Sequence, residues 1–274
     1  MRLNVKTQHV ALVAIFAALF YVLSLIAPIQ IPTTVGTIEI KFAALIASVF
    51  GFILGPYLGA AAALLGSSVT WTLFGMSPYD APFVLAPMFN ALIAGFIFYK
   101  KWKFGLVAFS ALVIAFLFTP PVFPLTAQSD IAGLTVGNSY IALAVIFDKI
   151  IAIALILPLA FFGKKMSVAY GSAFYFLLAF IGNEADNMWG SLAFAVPQVY
   201  NGIFGFDTVA VQGFFIVSPF LYPAIRIVQA FIVMIIAVPL MRVLQGTNWI
   251  WSKNNILAEP QKPPPAIGNP QVVP

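Results

Sequence analysis

The chain has no cysteine and one histidine, His9, among its 274 residues. Disulfides and thiolate metal sites are therefore excluded, and a His-rich metal centre cannot be assembled. Charge is scarce too: Asp, Glu, Lys and Arg supply 8% of the residues, where a soluble globular domain carries about 25%. There is no Gly-x-x-x-x-Gly-Lys-Ser/Thr loop to cradle ATP phosphates. His-Glu-x-x-His and Ser-His-Asp constellations are missing as well. The chain therefore reads as a non-enzyme, and no cofactor or metal is implied. The tandem arginines of a voltage sensor and the carbonyl filter loop of a potassium channel are likewise absent.

What is present is apolar. Hydrophobic residues make up 62% of the chain, and the mean hydropathy is +1.03. The expected fold class is all-α: a polytopic integral membrane bundle in the cell membrane. Eight spans are expected, near 9–27, 40–55, 57–75, 82–99, 104–119, 139–163, 168–182 and 223–243, with six as the alternative count. The first apolar run has no clear small-residue cleavage site, so it reads as a retained helix. Gly55-Pro56 marks a hinge between the second and third spans. The last apolar run, 213–245, is too long for one crossing and is expected to break near Pro219 or Pro223. Residues 1–253 form the bundle. The Pro-rich stretch 254–274 is expected to be a disordered cytoplasmic tail.

The few charges are sorted. Basic clusters without acids occur at Arg2/Lys6, Lys100/Lys101/Lys103, Lys164/Lys165 and Arg242/Lys253. The other connections carry Glu39, Asp80, Asp130, Glu184, Asp186 and Asp207. An even number of apolar segments separates consecutive basic clusters, so all of them can face the cytoplasm, giving N-in/C-in topology. The net charge of +5 then reflects attraction to the inner leaflet rather than to nucleic acid.

Small residues recur at helical spacing. Gly51, Gly55 and Gly59 form one row, read either as internal helix packing or, with less weight, as a surface for another membrane protein. Ala14 and Ala18, with Ala11 on a neighbouring face, form a second stripe in the first span, where the two readings are closer.

Polar residues in or near lipid are the remaining signals. Asp148 and Lys149 lie within the sixth span, where each unpaired charge would cost about 2.5–3.5 kcal/mol. Adjacent residues point apart on a helix, so these two are not expected to pair simply with each other. Asn183-Glu184-Ala-Asp186-Asn187-Met-Trp189 reads as a polar outer connection beyond span seven, running from 183 to 212. It offers amides, carboxylates and an indole for a flat, hydrogen-bonding ligand. The competing reading is a helix cap with an interfacial Trp anchor. Arg226 and Gln229 share one face of the last span. Asn90 in span four is either interhelical glue, the safer reading, or a ligand contact. The charges read equally as a structural ion-pair network or as part of a ligand site. A polar outer loop runs from Gln30 to Thr37.

The run Ile38 to Ala60, IEIKFAALIASVFGFILGPYLGA, resembles the second and third helices of the substrate-binding S components of energy-coupling-factor (ECF) vitamin transporters. Ala14 and Ala18 match the Ala-x-x-x-Ala motif of their first helix. The resemblance extends over 9–99 and, more loosely, 183–242. It implies a protein that captures a vitamin-like solute from outside, with the loop from Gln30 to Thr37 as a cover over an outer pocket. It further implies docking through Ala11, Ala14 and Ala18 on a membrane coupling subunit (the T component), with separate cytoplasmic ATPase subunits driving release. Members of that family usually have six spans and are shorter. Two other readings stay open: a stand-alone secondary carrier with an Asp148, Lys149 and Arg226 relay, and a ligand-free structural membrane protein.

Overall fold

The computed structural model describes residues 7–33, 36–169 and 171–244. Arg2, Lys6, Lys253 and the expected tail 254–274 lie outside the described residues. Each of the eight expected spans has a helical counterpart, and two boundaries are corrected.

Helix α1 (Thr7–Ser24) is apolar around its whole circumference and turns only Ala17 and Phe20 fully inward. The stretch expected as a loop is instead an antiparallel hairpin, β1 (Ile29–Thr33) with β2 (Gly36–Ile40), in register Ile29↔Ile40. The second span is a short α2 (Phe42–Leu45) followed by α3 (Ala47–Leu54), every residue of which is buried. Gly55 then adopts φ +83, a conformation open to glycine at little cost. Pro56 follows at the first turn of α4 (Pro56–Leu73), where its missing N–H is of no consequence. That pair is the hinge expected from the sequence.

A 3-10 turn (Ala81–Phe83) leads into α5 (Ala86–Phe98), and α6 (Trp102–Leu117) returns after the lysine cluster. A second hairpin, β3 (Gln128–Ile131) with β4 (Leu134–Gly137), precedes α7 (Asn138–Ala169). Helices α8 (Gly171–Phe194), α9 (Pro197–Tyr200) and α10 (Thr208–Leu244) complete the described chain. Among the described residues, four helical segments are long and apolar enough to cross a membrane: Thr7–Ser24, Ala81–Phe98, Asn138–Ser167 and Thr208–Leu244. Phe42–Leu54 and Trp102–Leu117 are apolar but shorter.

The first corrected boundary is span seven. It does not stop at residue 182; α8 continues to Phe194. The segment 183–189 contains no Gly or Pro to interrupt a helix, and Asn183, Glu184 and Trp189 find partners on neighbouring elements. A fall in hydropathy had imitated a loop. The second correction is the last span. α10 runs unbroken for 37 residues through Pro219, Pro223 and Pro239. Neighbouring helices can support the few backbone groups that proline leaves free in a membrane bundle.

In lipid, helices gain little from burying apolar surface against each other, so close packing matters most. The Gly51/Gly59 row shows how close. A Cβ on Gly51 would fall on the Ala91 carbonyl oxygen of α5. One on Gly59 would lie 2.6 Å from the Phe50 carbonyl oxygen, and one on Gly95 would lie 2.8 Å from the Pro56 Cα. Gly51, Gly55 and Gly59 are all buried, so the row serves internal packing and offers no surface to a partner. Around this contact, α5 and α8 occupy the centre, with α8 also packed on α7 and α10.

Gly51→Val forces its side chain into backbone of α5 that has no rotamer to yield. Overpacking of this kind costs about 1–3 kcal/mol. Thermal unfolding in detergent is expected to show a clear loss of stability for Gly51→Val. Val107→Ala, on the exposed face of α6, should stay close to the parent protein.

Candidate functional site

A cavity of about 670 Å³ opens at one end of the bundle, within the range of small-molecule sites. Its walls come from the C-terminal ends of α1 and α4, the connection 74–87, the C-terminal half of α8 and the N-terminal half of α10. The N-terminal residues of α5, Ala86 and Pro87, line it, whereas the opposite end of α5 leads to Lys100, Lys101 and Lys103. The cavity therefore sits at the end of the bundle away from that basic cluster.

Helix periodicity selects the lining residues. On α10, Ser218, Tyr222, Ile225 and Gln229 recur at intervals of three and four and face the cavity together with Arg226. On α8, Asp186, Asn187 and Gly190 do the same. The Arg226 Nη1 donates to Gln229 Oε1 at 2.6 Å, so the pair expected to share a face does so. Three buried polar atoms among these residues lack a hydrogen-bond partner: Asp186 Oδ2, Asn187 Nδ2 and Arg226 Nε. Unpartnered atoms also occur on Asn90, Asn183, Glu184 and Gln212 inside the bundle; the three on Asp186, Asn187 and Arg226 differ in lining an open cavity, where a polar ligand can satisfy them.

The remaining sequence candidates have structural partners. Asn90 donates from Nδ2 to the Ala44 carbonyl at 3.1 Å and to Asn183 Oδ1 at 2.9 Å. Both amides thus tie α5 to α8, as the glue reading has it, and neither lines the cavity. Trp189, expected to stack on a ligand, instead stacks on Phe89 with centroids 4.9 Å apart. Its indole Nε1 donates to the Pro82 carbonyl at 3.0 Å. The indole ring is held by α5 and the 3-10 turn because α8 continues as a helix and points that position sideways.

The expectation for Asp148 and Lys149 is also corrected. Lys149 Nζ lies 2.8 Å from Asp148 Oδ1 and 3.4 Å from Glu184 Oε2. All three residues are buried. Neighbouring Cα–Cβ directions diverge, but the four-carbon stem of lysine is long enough to curl back to the adjacent carboxylate. Glu184 is therefore not an outer-face ligand group; it closes a buried triad that locks α7 to α8 behind the cavity wall. Arg226 stands apart from that triad, with no carboxylate at ion-pair distance among the described residues. The set Asp148, Lys149 and Arg226 is therefore not one chain of direct ion contacts.

Several lining residues were not singled out from the sequence. Phe194, Phe204, Phe206, Phe214 and Phe215 build an aromatic end to the cavity, and the Phe204 and Phe206 rings lie 6.1 Å apart and 9° from parallel. The Phe-Gly-Phe and Phe-Phe runs were visible, but in so apolar a chain they do not stand out. Trp71 donates to the Ser77 carbonyl at 2.7 Å. Lys41 and Asp80, both about half exposed, pair at 2.6 Å on the rim.

The model of the S component of ECF-type riboflavin transporters matches residues 4–161. The chain belongs to that family. No curated protein and no solved structure matches it. As an S component the protein is a membrane-embedded substrate-binding subunit of a transporter, and the family is not one of enzymes. The match runs from α1 through most of α7 and thus covers the helices that carry the glycine row. In this S component the second half of the cavity, on α8 and α10, lies beyond the matched residues.

The triad makes a stability prediction. Removing one member of a buried ion pair costs about 3–5 kcal/mol, whereas replacing all members by apolar groups can be neutral. Lys149→Met is expected to destabilise the protein strongly by thermal unfolding. Adding Asp148→Leu and Glu184→Met to that variant should recover most of the loss.

Proposed function

We propose that this S component captures riboflavin from the external medium in the 670 Å³ cavity and delivers it through a coupling subunit driven by separate ATPases. The observation that carries the reading is that unpartnered buried acceptor and donor atoms on Asp186, Asn187 and Arg226 line one cavity, beside its aromatic end. The family name supplies the vitamin. Riboflavin combines a flat tricyclic ring, a polar imide edge and a hydroxylated chain. Aromatic walls suit the ring faces, and the α8 and α10 polar groups suit the imide edge and hydroxyls.

Orientation follows from charge. The cavity opens at the end of the bundle opposite Lys100, Lys101 and Lys103, which positive loops place in the cytoplasm. With eight crossings both termini face inward. The first hairpin, 29–40, leads directly to Lys41 on the rim, which fits a cover over the outer opening.

Docking is assigned to α1. Ala11, Ala14 and Ala18 are exposed, as are Val10, Ile15 and Val22 beside them. The helix thus presents a smooth apolar face, unused within the chain, of the kind that lets another helix approach closely.

Binding and docking separate cleanly in mutants. A hydrogen bond involving a charged group is worth about 1.5–3 kcal/mol, or roughly tenfold or more in affinity. Arg226→Ala is expected to weaken riboflavin about tenfold or more and Asn187→Ala, which removes a neutral bond of about 0.5–1.5 kcal/mol, by roughly two- to tenfold, each read from quenching of flavin fluorescence on the purified protein. Unchanged affinity in both variants would reject the site. Ala14→Leu with Ala18→Leu should leave that affinity intact while abolishing co-purification with the coupling subunit and uptake in cells.

A further inference from the structure

Four charged residues line the cavity: Lys41, Asp80, Asp186 and Arg226. Their formal charges cancel. The rim pair is joined at 2.6 Å and neutralises itself. The inner pair is different. Asp186 on α8 and Arg226 on α10 face the same cavity without forming an ion pair among the described residues. Each keeps an unpartnered buried atom, Oδ2 and Nε respectively. Opposite charges that share a cavity without touching present an acceptor and a donor side by side. Behind α8, Asp148, Lys149 and Glu184 contribute two carboxylates and one ammonium, so the nearest charge outside the lining is net negative.

Such an arrangement suits a neutral ligand that offers an N–H next to a carbonyl. It does not suit a dianion. A phosphate monoester carries about −1.5 to −2 charges at neutral pH and is normally met by arginine or lysine in excess of nearby acids. Here the one inner cation is matched by Asp186, and the rim lysine is already held by Asp80.

We propose that Asp186 and Arg226 together act as a specificity clamp, in which the Asp186 carboxylate accepts an imide N–H and Arg226 Nε donates to the adjacent carbonyl. With Arg226 engaged by the imide edge and Lys41 held by Asp80, the lining keeps no free cation for a phosphate, and the site selects the neutral vitamin over its phosphate ester. The inference rests on the cavity being the riboflavin site. It adds that discrimination comes from charge balance in the lining rather than from cavity size.

The test is a pair of titrations on the intact purified protein, with riboflavin and with riboflavin 5′-phosphate as probes. In the parent protein the phosphate ester is expected to bind at least about tenfold more weakly. Asp186→Asn removes a carboxylate that both imide edges use and a negative charge that only the phosphate feels, so it should weaken riboflavin more than the ester and bring the two affinities closer together. Because both probes are titrated on one preparation, their ratio does not depend on the folded fraction. Ser77→Lys adds a cation on the connection at the cavity edge, where folding is least at risk, and should narrow the ratio by strengthening the phosphate ester alone. Equal affinities in the parent protein, or a ratio that neither variant moves, would overturn the clamp while leaving riboflavin capture standing. Failure of the parent protein to bind either probe would overturn the capture reading and the clamp with it.

Discussion

A polar seam along the buried face of α8 holds the arrangement together. In a membrane interior an unpaired amide or charge has no water to turn to, so the polar residues of α8 that face away from the cavity are drawn to partners on particular neighbours. Asn183 meets Asn90 on α5, and Glu184 meets the Lys149 that already holds Asp148 on α7. These contacts fix both the rotation and the height of α8. Once that face is committed inward, Asp186, Asn187 and Gly190 are delivered to the cavity. The seam is thus not the binding site, but it decides where the binding site points.

Close packing does the corresponding work at α3, α4 and α5. Gly51 and Gly95 allow α3 and α5 to touch backbone to backbone, and the left-handed Gly55 folds α4 straight back against α3. A bundle drawn together this tightly at one end leaves its opening at the other. There the 74–87 connection and the start of α10 frame the cavity. The first half is a closely packed set of short helices within the family match, and the second half, beyond that match, completes the pocket.

The cavity itself is chemically two-sided. Phenylalanines from the 201–207 connection and the beginning of α10 form one end, while the α8 and α10 polar groups form another part of the wall. Its charged residues cancel, unlike a phosphate site, where cations exceed acids. Membership of the S-component family explains why such a cavity should exist. The particular placement of Asp186 and Arg226 belongs to this chain's own C-terminal helices, which lie beyond the matched residues 4–161.

Composition alone determined that this is a helical membrane protein, because so little charge and so much apolar sequence leave a chain nowhere else to fold. Local spacing determined the Gly55-Pro56 hinge and the glycine row, and the Ile38–Ala60 run with Ala14 and Ala18 determined the family. Gln229 was placed beside Arg226 by helical period. Tertiary structure decided what partners could decide. Hydropathy read 183–189 as a loop because it scores each residue's cost in lipid without the neighbour that offsets it, and Asn90 and Lys149 are distant in sequence. The same blindness hid the engagement of Trp189 with Phe89 and the aromatic end of the cavity, whereas the Asp148–Lys149 contact was hidden by the reach of the lysine stem. Periodicity names the face of a helix, but only packing against other helices settles which polar atoms remain free to meet a ligand.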